Sequence, residues 1–295
     1  MSAPARERLE ALLPLAARRA AELGTRVALV GGAVRDLLLA RDPVDVDLAV
    51  EGPPAKTLAL AAALARDLVG EVGACHERFG TATIGTGAGT RVDLATARRE
   101  SYPVPGGLPV IEGEATLEED LARRDFTVHA MAARIGDSGA LGEILDPFRG
   151  RADLDDRRLR LLHARSLADD PTRALRAARY GARLGFAWDP GFEPALAESR
   201  TAGSWTSISG DRLRRSFEEI LAEDGREEAF ERLRSSGVLD DVVPGWGAAP
   251  PAPLAAGSLE ERWTALLSPL PRELRGAIAG RLNFSRALRR ATGTR

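Results

Sequence analysis

The sequence predicts an α+β fold, with strands confined mainly to the first 140 or so of its 295 residues. Two observations lead to this prediction. Up to about residue 140, short aliphatic and β-branched runs, some alternating with period two, are interspersed with helical patterns. From about residue 124 onward, the runs carry apolar residues at helical spacing. A mixed region is therefore expected to precede a helical one.

In chain order, the first region begins with a strand that ends in a glycine pair. Residues 27–30 are aliphatic and run into Gly31 and Gly32, after which residues 34–40 predict a helix. The later patterns predict a strand at 44–50, a helix at 57–69, and strands at 81–86 and 90–94.

The second region follows a segment rich in proline and glycine. Residues 103–117 predict a long mobile loop, and loops of this length are often functional. A helix is predicted to open at Arg123, Arg124 and Asp125. Helical patterns cover 125–135, 171–184, 211–223, 227–235 and 259–267, and together they predict a helical bundle.

Composition excludes several classes of protein. The longest nearly pure apolar stretch, residues 58–65, is far shorter than the roughly 20 residues that span a bilayer. The N-terminus has no apolar signal core, so we expect a cytoplasmic protein without a membrane segment. One cysteine, Cys75, and three histidines exclude an intrachain disulfide and a zinc site of the usual type.

Three carboxylates are candidate metal ligands. Asp45 and Asp47 flank Val46, and in a strand this spacing places both on one face. Hard anionic oxygens suit Mg²⁺, although the pattern alone is more typical of solvated carboxylates at a sheet edge. Asp93 would add a third carboxylate if its strand neighboured the first, but a surface Asp at a strand end gives the same pattern.

The glycine pair is a candidate phosphate site. Glycine backbone at a helix start can approach a phosphate, and Arg35 stands close by to neutralise it. Neither the dinucleotide fingerprint nor a Walker lysine is present, and an ordinary strand-to-helix turn is the alternative. A triphosphate beside a carboxylate-bound metal indicates phosphoryl or nucleotidyl transfer, for which no general-base histidine is required.

The helix predicted at 171–184 carries a basic face. Asp169 and Asp170 precede it and could pair with its first arginine, but no acidic residue lies within it to neutralise the others. A solvated basic face is the alternative to a binding face. Four arginines fall within about 120° of one side: Arg173, Arg176, Arg179 and Arg183.

Four motifs follow one another in this chain. They are GGAVRD at 31–36, DVD at 45–47, RRDFTVHA at 123–130 and DDPTRALRAARY at 169–180. Their order and spacing resemble the bacterial-type, class II tRNA nucleotidyltransferase and poly(A) polymerase family, over roughly residues 20–240. The resemblance implies a polymerase-β-like nucleotidyltransferase head domain, a mixed sheet with helices, at 1–140. It also implies a helical neck at 141–240, which would select the base and bind RNA, and a short helical body-like region at 241–295.

The resemblance also implies roles for individual residues. Asp45 and Asp47 would bind Mg²⁺, with Asp93 as a further catalytic carboxylate. Asp170 and Arg173 would act as a protein template for C or A, since a carboxylate accepts from an exocyclic amine and a guanidinium donates to ring nitrogens or a carbonyl. Segment 103–117 matches the family's flexible loop, associated with the switch from adding C to adding A. The nucleotide-binding set would be Gly31, Gly32, Arg35, Asp36, Arg124, Asp125, Asp170, Arg173, Arg176 and Arg179.

The implied function is template-independent transfer of CMP and AMP from CTP and ATP to the 3′ end of tRNA, with no DNA partner. Within the family, the alternatives are an A-adding enzyme, a CC-adding enzyme or a poly(A) polymerase. From another class, a non-catalytic RNA-binding module is the alternative. A metal-dependent phosphohydrolase is disfavoured because the His-Asp clusters of those enzymes are absent.

Three features depart from the family pattern. His129 stands where Asn is usual, and Asp169 where Glu is usual, which leaves the base-selecting pair intact. The chain also stops soon after residues 283–290, where full-length relatives often continue, so either a compact natural form or a truncated one is expected.

The charge distribution is uneven. The net charge of −2 is an average over a segment of +4 at 145–184, a segment of +6 at 271–295 and a remainder of −12. Because RNA responds to local basic surface, overall neutrality does not exclude an RNA partner.

Overall fold

The computed structural model describes residues 5–43, 45–86, 91–248, 254 and 257–294. Within these ranges the chain forms two compact units, the first comprising 1–101 and 109–156 and the second 102–108 and 157–295. The expected division into three domains, with boundaries at 140 and 240, stays a prediction. No helix among the described residues is long and apolar enough to cross a membrane.

The first unit is built on a mixed seven-stranded sheet of order β3-β4-β5-β2-β1-β8-β9. Strand β2 pairs in parallel with β5, whereas β1 pairs antiparallel with both β2 and β8. A separate hairpin joins β6 and β7. The strands are β1 (Arg26–Val30), β2 (Val46–Glu51), β3 (Gly70–His76), β4 (Thr81–Thr86), β5 (Arg91–Thr96), β6 (Arg99–Ser101), β7 (Val110–Glu112), β8 (Ala132–Ile135) and β9 (Leu141–Leu145).

Helices cover the sheet of the first unit. The Ala- and Leu-rich α3 packs on β3, β4 and β5 through side chains such as Leu60 and Leu64, which are fully buried. Helix α1 packs on α3 and β1. The five helices are α1 (Ala5–Glu22), α2 (Gly32–Leu38), α3 (Pro54–Asp67), α4 (Leu117–Ala122) and α5 (Gly150–Asp155), with 3₁₀ turns at Glu77–Phe79 and Thr127–His129.

The second unit is almost entirely helical. Helix α7 packs on α10 and α11, and an aromatic cluster around Phe217 includes Trp246 and Trp263, with ring centroids 4.9 and 6.3 Å from it. The helices are α6 (Ser166–Asp169), α7 (Thr172–Leu184), α8 (Phe192–Thr201), α9 (Ser204–Ser207), α10 (Gly210–Ala222), α11 (Arg226–Ser235), α12 (Val238–Val242), α13 (Leu259–Leu267), α14 (Arg272–Arg281) and α15 (Arg286–Ala291), with a 3₁₀ turn at Trp246–Ala248 and short strands β10 (Arg158–Leu159) and β11 (Ala187–Trp188).

Most predicted elements are confirmed to within a few residues at each end, and two predictions were wrong. The helix expected over 125–135 is instead a 3₁₀ turn followed by β8. The segment 103–117 is not entirely loop, because Val110–Glu112 pairs with Arg99–Ser101. Residues Val44 and Thr90, expected to begin strands, lie outside the described residues.

Candidate active site

The glycine turn links β1 to α2 in the first unit. Gly31 has a φ of +69° and a ψ of −132°, a combination outside the left-handed helical region that costs a residue with a side chain about 1–3 kcal/mol. Its amide donates to the Met131 carbonyl on the chain entering β8, at 3.1 Å, and its carbonyl accepts from the Arg35 amide at 3.1 Å. The Gly31 amide is therefore already engaged within the protein.

Two of the three candidate carboxylates lie side by side on neighbouring strands. Asp47 of β2 and Asp93 of β5 are register partners in the parallel pair, which confirms the condition placed on Asp93. Val46 and Leu48 are buried, as the alternation predicts, and Asp47 is half-buried. Asp45 lies outside the strand, which begins at Val46, and it is exposed. The predicted in-strand position of Asp45 was therefore wrong.

The carboxylates influence one another electrostatically. Burial raises the pKa of Asp47 above its ordinary value, and the charges of Asp93 and Asp45 raise it further, while Arg124 opposes the shift. Asp93 accepts hydrogen bonds from Thr83 Oγ1 at 2.5 Å and from Arg91 Nε at 2.9 Å. Asp47 thus carries a charge that its surroundings compensate incompletely.

A divalent cation fits this donor set, although the side chains do not form a complete cage. Among the described residues, no group of three or more His, Cys, Asp or Glu side chains converges on one point as a metal site. The carboxylates of Asp45, which is exposed, and Asp47 are hard oxygen donors. A bound cation would offset the burial and the neighbouring negative charges that together raise the pKa of Asp47.

Arg124 lies directly over the glycine turn. Its Nη1 atom is 2.6 Å from the point that a Cβ on Gly31 would occupy, so only glycine leaves room for it. Its Nη2 atom donates to Asp120 Oδ2 at 3.0 Å. No helix opens at Arg123, because α4 ends at Ala122; the prediction of a helix start there was wrong.

Asp120 is a residue that the sequence reasoning missed. Burial alone would raise the pKa of this fully buried carboxyl, but the charges of Arg123 and Arg124 outweigh burial and hold the pKa below its ordinary value. Its position three and four residues before the two arginines, on α4, is a spacing that could have indicated the pairing.

A buried network lies beneath the glycine turn. His129 Nε2 is 2.6 Å from Arg35 Nη1, and His129 Nδ1 is 2.9 Å from Asp125 Oδ1. Arg35 Nε also donates to Asp36 Oδ1 at 2.8 Å. Arg35 is only 3% exposed, so the arginine expected to neutralise a phosphate is held mainly by protein groups in this structure.

In the second unit, Asp170 and Arg173 stand at the start of α7. Asp170 Oδ1 accepts from the amide and hydroxyl of Thr172, at 3.0 and 2.6 Å, and from Arg212 Nη2 at 3.0 Å. Arg173 is 5% exposed, donates to the Ser166 carbonyl and lies 5.7 Å from the ring centroid of Tyr102. Asp170, one of the two acids that could pair with Arg173, forms an ion pair with Arg212.

The segment around Gly106 also lies near the start of α7. Arg212 Nη1 donates to the Gly106 and Gly107 carbonyls, each at 3.1 Å, and the Gly106 amide donates to the Ala168 carbonyl at 3.0 Å. Arg212 therefore joins Asp170 to part of the predicted loop. Sequence reasoning missed it because its partners lie 42 and more residues away.

The basic face of α7 is partly neutralised. Arg179 pairs with Glu219 on α10, and Arg183 pairs with Glu223 at the end of α10. Arg176 lies 5.4 Å from the ring centroid of Tyr180. These acidic partners come from α10 and the residue that follows it, since α7 itself contains no acidic residue.

The chain was then compared with known proteins. The family described as "Poly A polymerase head domain" matches residues 27–160. An A-adding tRNA nucleotidyltransferase of Aquifex aeolicus is 39% identical over 75% of this chain and 26% of its own length. A multifunctional CCA protein of Pseudomonas putida is 32% identical over 87% of this chain and 68% of its own length. The chain belongs to the tRNA nucleotidyltransferase and poly(A) polymerase family.

Other members differ in the activity that their names state. A CC-adding tRNA nucleotidyltransferase of Deinococcus radiodurans is 46% identical over 54% of this chain and 41% of its own length. The solved Thermotoga maritima CCA-adding enzyme complexed with tRNA is 28% identical, with a TM-score of 0.73 over 94% of this chain and 67% of that one. The chain spans only about a quarter of the first A-adding relative.

Membership of the family accounts for the architecture. The mixed sheet of the first unit is the polymerase-β-like head that the motifs predicted, and the helical second unit follows it as expected. Enzymes of this family use a divalent metal ion. The roles of individual residues in this chain remain predictions.

Proposed function

We propose that the chain transfers CMP and AMP from CTP and ATP to the 3′ end of tRNA, with Mg²⁺ and without a nucleic-acid template. The observation that carries the proposal is the placement of Asp47 beside Asp93, with Arg124 close enough to act on Asp47 and lying over the Gly31 turn. Carboxylates next to a guanidinium and a tight glycine turn suit a metal-bound triphosphate.

In the proposed reaction, the 3′ hydroxyl oxygen of the RNA forms a bond to the α-phosphorus while the bond to the β-phosphate oxygen breaks and pyrophosphate leaves. Asp45 and Asp47 would hold Mg²⁺, which neutralises the triphosphate and favours the ionised hydroxyl. Asp93, kept in place by Thr83 and Arg91, would assist them as the third catalytic carboxylate.

The remaining residues would bind the nucleotide. Arg124 would contact phosphate oxygens as a planar donor, and Asp125 would contribute from the same motif. Asp170 and Arg173 would select C or A, with Arg176 adding a contact. Arg179 would act less directly, because Glu219 already pairs with it. Gly32, Arg35 and Asp36 keep their predicted places in the nucleotide-binding set.

The relatives differ in which nucleotides they add, so they do not determine the base that this chain selects. The names of the compared proteins include A-adding, CC-adding and CCA enzymes, and an A-adding, CC-adding or poly(A)-adding activity of this chain is the alternative. A non-catalytic RNA-binding module is the remaining alternative. The cytoplasmic location expected from the sequence belongs to the same proposal.

An incorporation assay tests the proposal. Purified protein is given tRNA transcripts that lack the whole CCA end or only its terminal A, with Mg²⁺ and one labelled nucleotide at a time. We expect C on the first transcript, a single A on the second and neither U nor G. A alone, C alone or a run of A would identify one of the alternative activities, and no incorporation would contradict catalysis.

Variants of the carboxylates test whether the activity depends on this site. Asp45→Ala and Asp47→Ala should each lower incorporation of every nucleotide by more than about 100-fold, since metal-assisted charge stabilisation is worth several kcal/mol. Asp42→Ala, which removes another exposed acid just before the motif, is the control and should retain activity. Near-normal turnover by a double Asp45/Asp47 variant would overturn the assignment.

A further inference from the structure

A histidine occupies the centre of the buried network in the first unit. His129 is 5% exposed, and its neighbours Arg35 and Asp125 are 3% and 7% exposed. Its two ring nitrogens point to different partners, with Nε2 at 2.6 Å from Arg35 Nη1 and Nδ1 at 2.9 Å from Asp125 Oδ1. The imidazole therefore connects the helix α2 to the Arg-Arg-Asp motif.

The chemistry of the partners determines where the imidazole proton lies. A guanidinium only donates and stays protonated in proteins, so Nε2 must accept from Arg35 and cannot carry a proton. The proton is therefore on Nδ1, which donates to Asp125 Oδ1. That same oxygen accepts from the Phe126 amide at 2.8 Å, which orients the carboxylate. The geometry requires a neutral imidazole in its Nδ1–H form.

Protonation of His129 would break this arrangement. An imidazolium would present an N–H and a positive charge to the guanidinium across 2.6 Å. Asp125 favours the charged ring and Arg35 opposes it, while Asp36, also on α2, already accepts from Arg35. Helix α5 also packs on the Thr127–His129 turn, and its Asp153 accepts a hydrogen bond from the Thr127 hydroxyl.

We propose that His129 is a positioning residue that holds the Arg35 guanidinium through its neutral Nε2 atom, so that nucleoside triphosphate binding weakens as the imidazole takes up a proton. The inference rests on the proposed function in one respect, namely that Arg35 helps to bind the triphosphate. Asn, the usual residue at this position of the motif, is shorter and cannot titrate. The pH dependence is therefore a property of this chain's own side chain.

The first test is spectroscopic and needs no activity. The protein has three histidines, His76, His129 and His163, so the ¹⁵N ring signals of His129 can be assigned by their loss in His129→Gln. At pH 7.5 we expect a protonated Nδ1 and an unprotonated Nε2. An imidazolium, or the tautomer protonated at Nε2, would overturn the proposal.

The second test is the affinity for CTP and for ATP, measured by calorimetry between pH 5.5 and 8.5. His129→Gln keeps an acceptor near the position of Nε2 but does not titrate, and His129→Phe keeps a ring without either nitrogen. In the wild-type protein, we expect Kd to rise about ten-fold between pH 8.5 and pH 5.5, as the imidazole takes up a proton and its Nε2 atom ceases to accept from Arg35. His129→Gln should bind within about three-fold of wild type at pH 8 and lack this rise. A ten-fold change corresponds to the loss of one charge-assisted hydrogen bond, and His129→Gln should keep that bond at every pH in the range.

His129→Phe should bind about ten-fold more weakly than wild type at pH 8. If it fails to fold, as judged by its melting curve, the comparison of wild type with His129→Gln decides alone. Identical pH profiles for those two proteins would overturn the proposal. A different outcome is that CTP and ATP bind with the expected pH dependence and His129 carries its proton on Nδ1, but no nucleotide is transferred to tRNA. That result would refute the proposed function without contradicting the role of His129.

Discussion

At the scale of single residues, Asp47 combines functional value with a cost to stability. The folded protein raises the pKa of this carboxyl, first through burial and then through the nearby charges of Asp93 and Asp45. The folded state therefore holds the proton more tightly than the unfolded chain does. The resulting contribution to the free energy of unfolding is fully present below the unfolded pKa and is lost as the pH rises through the folded pKa.

Asp47→Asn should therefore raise the melting temperature of the metal-free protein at pH 7 while abolishing transfer. The difference from wild type should shrink as the pH falls through the folded pKa, because the wild-type carboxyl then takes up its proton. Melting curves followed by circular dichroism across this range check the prediction. A variant less stable than wild type at pH 7 would contradict it.

Asp67→Asn is a control with the opposite sign. Hydrogen bonds from Arg19 lower the pKa of the Asp67 carboxyl to about 2, with Arg19 Nη2 at 2.7 Å from Asp67 Oδ1. Its ionised form therefore stabilises the fold above the unfolded pKa. We expect Asp67→Asn to lower the melting temperature at pH 7 and to have no such effect at acidic pH.

Gly31 shows how little space the site leaves. Gly31→Ala places a methyl group 2.6 Å from Arg124 Nη1 at a φ of +69° and a ψ of −132°. It should destabilise the protein by about 1–3 kcal/mol and weaken CTP binding by displacing the guanidinium. Gly85→Ala is the matched control, because nothing lies within 4 Å of the added carbon. Urea unfolding and calorimetry of both variants check this, and equal effects at the two glycines would refute it.

At the scale of elements, local patterns predicted the glycine turn and α7 well and failed at residues 125–135. Every residue from Phe126 to Ala133 is buried. A continuous buried run has no exposed face, so neither helical nor strand periodicity can be read from it. Pairing with β1 and β9, which are distant in sequence, made part of this run a strand.

Helix α10 makes contacts that α7 alone could not predict. Its Arg212 joins Asp170 to the Gly106 and Gly107 carbonyls, while Glu219 and the following Glu223 neutralise arginines of α7. The orientation of the Asp170 carboxylate, and hence its ability to accept from a base, therefore depends on a second helix.

We expect Arg212→Ala to change the ratio of kcat/KM between correct and incorrect nucleotides by about ten-fold, since it removes a charge-assisted hydrogen bond from Asp170. Single-nucleotide incorporation assays measure this ratio. Arg214→Ala, on the same helix but paired with Asp211 at 3.0 Å, is the control. An unchanged ratio in Arg212→Ala would show that Asp170 needs no such support.

At the scale of the whole molecule, the proposed binding of tRNA depends on local charge, because the net charge is only −2. The C-terminal segment 271–295 carries a net charge of +6. Arg286 and Arg290 in this segment are exposed, and neither forms an ion pair with an acidic side chain among the described residues. They are free to contact phosphates in the proposed tRNA partner.

Arg286→Ala combined with Arg290→Ala should therefore weaken tRNA binding. The slope of log K against log [salt], where K is the association constant for tRNA, should become less steep by about one to two, close to one for each lost phosphate contact. Titrations of labelled tRNA at several salt concentrations measure the slope. A control with the same change in net charge is Arg18→Ala with Arg234→Ala, since each of these arginines pairs with an acid. Equal slopes for the two double variants would contradict a local RNA contact.

The sequence by itself determined the family, the α+β class and most of the motif positions, because these depend on residue identity, short spacings and local periodicity. Only the tertiary structure decided that Asp47 lies beside Asp93, that Arg212 pairs with Asp170 and that His129 accepts from Arg35. Each of these pairs joins residues 42 or more positions apart. The path of the chain sets their separation, and no local pattern encodes that path.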